Sequence, residues 1–183
     1  MAKEFSEITP EMADWLGQQR MFFVATAPLA ADGLVNCSPK GMDTLRILGA
    51  REVAYLDLTG SGVETIAHLR ENGRIVLTFC AFAGPPKIVR LHGTGEVVGA
   101  DAPEWETLRR LFPDYPGARA VIRVHLGRIS DSCGYAVPRY DYVGERDGLV
   151  RWADAKGPDG LTRYRSEKNA RSLDNLPGLE PIR

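Results

Sequence analysis

Short apolar segments, rich in β-branched and aromatic residues and cut off by Gly and Pro, follow one another along most of this chain. Met21–Ala27, Leu34–Pro39, Leu45–Leu48, Val53–Leu58, Arg74–Phe82, Lys87–Val98 and Ala120–Ile129 each read as a strand. Pro28–Gly33, Gly84-Pro85-Pro86 and Pro113–Gly117 read as the turns and loops between them. Helical patterns enter only between or after these runs, so the regular βαβα alternation of a parallel sheet is absent. Six or so short strands with a few inserted helices predict a mainly β protein, an antiparallel barrel with peripheral helices.

The helices carry local signals. Thr9-Pro10-Glu11 supplies an N-cap, a proline at the first helical position and an acid in the first turn. Met12, Trp15 and Leu16 give that helix an apolar face, and Gly17 is expected to end it. Ser61-Gly62-Val63-Glu64 reads as a capping box before Val63, Ile66, Ala67 and Leu69, with Asn72-Gly73 as the stop. The spacing predicts a helix over Gly62–Glu71 that starts where a strand ends. Asp101–Glu104 reads as a second capping box, opening a helix through Trp105, Leu108, Leu111 and Phe112. Ser130–Gly134 is expected to break the last strand. From Arg146 the chain reads as polar helix anchored by Trp152 and Tyr164, fraying at Leu176–Pro181. The division expected is therefore a barrel domain over 1–145 and a helical extension over 146–183, packed on the barrel or on a partner.

At 183 residues, with 44% hydrophobic and 26% charged residues, the chain can fill one core. A net charge of -1 argues against nucleic acid or an anionic membrane as the main partner. No apolar run approaches the ~20 residues of a membrane helix. The acidic start, Met1–Glu7, lacks a signal peptide's basic region, so a cytoplasmic protein is expected. Cys37, Cys80 and Cys133 are odd in number and form no C-x-x-C, so they are read as small buried hydrophobes without redox chemistry.

Several chemical motifs fail on inspection. Gly93-Thr94-Gly95 sits inside a strand pattern, where glycines serve a bulge or barrel corner better than a dinucleotide. His68, His92 and His125 show no metal-ligand spacing, and no metal is expected. Ser132, His125 and Asp131 could be written as a triad, but no G-x-S-x-G elbow supports it. Two positive signals remain. Thr59-Gly60-Ser61-Gly62 heads a helix, where free N–H groups attract anions and the hydroxyls of Thr59, Ser61 and Thr65 add donors. Asn36–Gly41 ends a strand in Pro39-Lys40-Gly41, which projects a lysine at a sheet edge.

In order and spacing, these residues resemble the pyridoxamine 5'-phosphate oxidase-like family of FMN-binding split barrels, over roughly Phe22–Tyr142. The matching segments are Val35–Gly41, Tyr55–Gly62 leading into Glu64–Arg74, Ile75–Phe79 and Ile88–Gly93. The resemblance implies a six-stranded antiparallel Greek-key split barrel, a homodimer with flavin at the interface, and FMN-dependent redox chemistry on a small molecule. It places Val35, Asn36, Cys37, Ser38 and Lys40 beside the flavin ring and ribityl chain. Leu58, Thr59, Ser61, Gly62, Glu64 and Thr65 fall on the phosphate side. Where the family often has an Arg-Lys pair, this chain has Glu64-Thr65, so Lys40, the helix N-terminus and nearby hydroxyls must compensate. The tail departs from the basic segment of true pyridoxamine phosphate oxidases. The resemblance names no catalytic residue and no substrate. A deazaflavin- or haem-using barrel, and a non-catalytic flavin carrier, are the alternatives.

Overall fold

A computed structural model describes residues 3–179. Its chain order is β1 (Lys3–Phe5), α1 (Pro10–Gln18), β2 (Phe22–Thr26), β3 (Asn36–Lys40), β4 (Leu45–Gly49), β5 (Glu52–Leu58), α2 (Glu64–Asn72), β6 (Arg74–Cys80), β7 (Ile88–Val98), α3 (Trp105–Arg109), β8 (Ala118–Ser132) and α4 (Gly148–Lys168). The strands form one antiparallel sheet in the order β3-β2-β6-β7-β8-β5-β4, with β1 added to β8. Mainly β architecture with peripheral helices is thus as the sequence predicts, with eight strands instead of six.

Alternation explains the curl. Val24, Tyr55, Leu77, Phe79, Val89, Leu91, Ile122 and Val124 all point into one core. Phe22 packs edge-on against Tyr55 with ring centroids 5.7 Å apart, joining β2 to β5 across that core. The end strands β3 and β4 are not paired with each other, so the barrel is split there. On the far side the sheet bends at a bulge between His92 and Gly93. A Cβ at Gly93 would strike the His125 carbonyl oxygen, so glycine serves close backbone approach there.

Several local expectations are corrected. Thr9 does cap α1, accepting from the Met12 N–H at 3.2 Å, but α1 runs one residue past Gly17. Neither expected capping box forms. Val63 and Glu104 occupy the N-cap positions of α2 and α3 without a side-chain cap, and α3 stops at Arg109. Gly73, at φ 72°, closes α2 as anticipated. β8 continues through Ser130–Ser132 because Arg90, Val89 and Ile88 of β7 pair with those residues. α4 is two helical segments joined at Gly157, whose φ of 63° suits only glycine, with Pro158 opening the second. Ala153 and Leu161, not Trp152 and Tyr164, are its buried anchors; the two aromatics meet edge-to-face with ring centroids 4.9 Å apart. The cysteines are not buried: Cys37 and Cys133 are exposed and Cys80 is half-buried. Glu180 and Pro181, at the end of the predicted fraying segment, lie outside the described residues. No described helix is long and apolar enough to cross a membrane, and no described cluster of His, Cys, Asp and Glu could hold a metal.

Candidate functional site

Where the barrel is split, β3, the end of β5 and the start of α2 enclose a pocket of about 260 Å³. Alternation along β3 turns Asn36, Ser38 and Lys40 toward it, and these three side chains line it. Cys37 points the other way, and Val35 is 74% exposed; neither lines the pocket. Pro39, which has no N–H to donate, is tolerated because β3 is an edge strand, paired on one side only. Leu58, Gly62, Glu64 and Thr65 line the opposite wall.

Thr59 and Ser61 do not line it. Thr59 is buried beneath, where its hydroxyl donates to the Gly117 carbonyl at 2.7 Å and accepts from Arg165 Nε at 2.9 Å. Ser61 is exposed and makes no cap. The Glu64 carboxylate, expected to complete the capping box, accepts instead from the Leu173 N–H at 3.3 Å.

The pocket has two chemical ends. Asn36 Nδ2 donates to Thr26 Oγ1 at 3.2 Å and to Thr65 Oγ1 at 3.0 Å, and the Ser38 hydroxyl donates to Asn36 Oδ1 at 2.9 Å. With those donors spent, the β3 wall offers acceptor lone pairs. Behind it Thr26 meets His68 Nδ1 at 2.9 Å, while His68 Nε2, fully buried, has no hydrogen-bond partner among the described residues. The direction of the Thr26–His68 hydrogen bond depends on the imidazole tautomer, since the Thr26 oxygen can accept from Asn36 and still either donate to or accept from Nδ1; Nε2 lies 3.9 Å from Asp174 Oδ2.

The other end is cationic. Asp57, on β5 and 1% exposed, accepts from Lys40 Nζ at 3.0 Å and from Arg119 Nε at 2.7 Å. Burial alone would raise the Asp57 carboxyl, but Arg119 and Lys40 outweigh it and hold the pKa at about 2. Arg119 also donates to the Gly62 carbonyl and to Asn169 Oδ1, both at 2.9 Å. Arg165 lies behind, and burial followed by repulsion from Arg119 lowers its pKa. Two cations thus hold Asp57, with Arg165 behind them on Thr59 and Glu64 at the rim, beside the N-terminus of α2. Lys40 keeps two ammonium protons and Arg119 two guanidinium protons uncommitted. This end can bind an anion by charge-assisted hydrogen bonds.

Arg119, Arg165 and Asn169 have no motif around them. Their partners lie 62, 106 and 109 residues away in the chain, so only the fold reveals them. The sequence's other chemical candidates stay apart: Asp131 accepts from the Lys3 N–H, Ser132 from Arg90, and His125 sits on β8 opposite Glu52 and Thr94.

The pyridoxamine 5'-phosphate oxidase family profile matches residues 8–133. The protein ustO of Aspergillus flavus, described as a pyridoxamine 5'-phosphate oxidase family protein, is 37% identical over 96% of this chain and 77% of its own length. Among solved structures, HupZ of Group A Streptococcus is 26% identical, with a TM-score of 0.52 over 67% of this chain and 91% of its own. A Clostridium acetobutylicum protein related to general stress protein 26, of the pyridoxinephosphate oxidase family, is 16% identical. It shares the fold at a TM-score of 0.53, over 67% of this chain and 86% of its own. With the barrel and both sequence matches in agreement, this chain belongs to the pyridoxamine 5'-phosphate oxidase family.

Proposed function

We propose that this chain is an FMN-dependent oxidoreductase acting on a small molecule, with the flavin phosphate at the Lys40–Arg119 end of the pocket. The observation that carries the reading is the pairing of that cationic end with an acceptor wall at Asn36 and Ser38. A ribityl phosphate has the matching polarity, hydroxyl donors along the chain and a dianion at its end. The uncommitted protons of Lys40 and Arg119 and the α2 N-terminus fit a phosphate. Lys40 and Arg119 would bind and orient it, and Asp57 would keep both cations aimed. Bound flavin would supply the electron transfer, so no acid–base triad is required of the protein.

A volume of about 260 Å³ lies just below the roughly 300–1,000 Å³ usual for small-molecule sites, so in this reading the pocket would hold one end of the cofactor. A second copy of the chain would supply the remaining wall. Exposed apolar residues beside the site, Leu34, Val35 and Leu149, support a homodimer with flavin at the interface.

The experiment is the absorption spectrum of the purified protein, then titration with FMN and riboflavin and reduction of bound flavin by NADH or NADPH. A bound-flavin spectrum, tighter FMN than riboflavin, and reduction followed by reoxidation are expected. A deazaflavin or haem spectrum would replace the cofactor assignment, and flavin that binds but never turns over would make the protein a carrier.

A further inference from the structure

Residues 169–179 leave α4 and return beneath the cationic end of the pocket. The Asn169 N–H closes the helix on the Arg165 carbonyl at 2.8 Å, and the Leu179 N–H donates to the Asn169 carbonyl at 2.7 Å. The Asn169 side chain is wholly buried, at 0% exposure. Its two amide ends do different work. Oδ1 accepts from Arg119 at 2.9 Å, while Nδ2 donates to the Gly60 carbonyl at 3.0 Å and reaches the Ser61 carbonyl at 3.4 Å.

The reversed amide is excluded, since it would face N–H against guanidinium and oxygen against two carbonyls. Arg119 in turn donates to the Gly62 carbonyl, so arginine, amide and the 60–62 turn form one closed set of hydrogen bonds. Only a side chain that accepts on one side and donates on the other completes it. Asp57 fixes the guanidinium from the opposite side.

We infer that Asn169, in the C-terminal extension, is a positioning residue that aligns Arg119 with the Gly60–Gly62 turn to receive the phosphoester end of the ligand. The inference rests on the reading of this pocket as an FMN site. Riboflavin, which has no phosphate, should be indifferent to that alignment.

The test compares wild type, Asn169→Asp and Asn169→Ala in the full chain. Aspartate keeps the acceptor toward Arg119 but sets an oxygen against the Gly60 and Ser61 carbonyls; alanine removes both contacts. FMN and riboflavin affinities are read by flavin fluorescence, with circular dichroism confirming the fold. FMN affinity should fall about tenfold or more in both variants, the lower range for a charge-assisted contact, and riboflavin affinity by less than about threefold. Equal losses for the two flavins, or an unchanged FMN preference, would overturn the inference. If alanine alone fails to fold, aspartate decides, and failure of both would make Asn169 purely structural and also overturn it. A wild-type protein with no preference for FMN would instead overturn the phosphate assignment, and the inference with it.

Discussion

Asp57→Asn separates two roles that the cationic cluster performs together. The carboxylate is 1% exposed and touches Lys40 at 3.0 Å and Arg119 at 2.7 Å. Its pKa of about 2, against an ordinary 3.8, corresponds to about 2 kcal/mol of native-state stability while it is ionised. The sign follows from proton uptake. Above pH 3.8 neither state binds the proton; below it the unfolded chain does so first, and the contribution is lost as the pH falls through about 2. Asparagine resembles the protonated acid but cannot neutralise two cations, and breaking a buried pair from one side costs roughly 3–5 kcal/mol. At neutral pH the variant should lose about 2–5 kcal/mol, lowering Tm by roughly 4–20 °C in a chain of this size. Phosphate should respond in the opposite sense. With its competing carboxylate gone, the Lys40–Arg119 end should bind FMN more tightly relative to riboflavin, and FMN should restore part of the lost Tm. The assay is thermal unfolding of both proteins at pH 7 and between pH 4 and 2, with and without FMN. A loss below about 1 kcal/mol at pH 7, or weaker FMN binding with riboflavin unchanged, would refute the reasoning.

Lys40→Ala should weaken FMN by about ten- to a hundredfold and riboflavin far less, since a charge-assisted contact contributes about 1.5–3 kcal/mol; flavin fluorescence titration measures both. Gly93→Ala should destabilise the barrel, because a Cβ there meets the His125 carbonyl oxygen at the bulge; chemical denaturation should show a shifted midpoint with an unchanged slope. His68 should make stability fall as the solution is acidified. Burial lowers its pKa below 6.5 despite the opposing pull of Asp174, Glu64 and Glu71, so its contribution is intact above 6.5 and lost as the pH drops through the lowered value. Denaturation midpoints from pH 7.5 to 5 should converge between wild type and His68→Asn; parallel curves would contradict this assignment.

Strand content was legible because it is written in local alternation. Arg74–Cys80 and Ile88–Val98 match their sequence signals closely, and Gly93 sits at the bulge its pattern suggests. β1 was not legible: it has three residues, Phe5 alone apolar, and exists because the β8 edge beyond β5 is open to Lys3–Phe5. The same limit governs the site. The resemblance put Val35, Asn36, Cys37, Ser38 and Lys40 on one strand beside the ligand, and only the strand's alternation separates the pocket-lining Asn36, Ser38 and Lys40 from Cys37. Ser61-x-x-Glu64 carries the local signature of a cap, yet Glu64 is engaged by Leu173, 109 residues away.

The missing basic pair at Glu64-Thr65 shows why charge has to be counted in space. A helix start without Arg or Lys reads as a weak anion site on its own. Here Lys40 from β3 and Arg119 from β8 converge on one carboxylate from β5, and Arg165 from α4 stands behind them. Asp57 makes this concentration of cations tolerable in a buried setting, although no motif around it marks it out. An anionic ligand would take over part of that neutralisation. Stability of the empty fold and affinity for phosphate are therefore set by the same few contacts, and substitutions at Asp57 should trade one against the other.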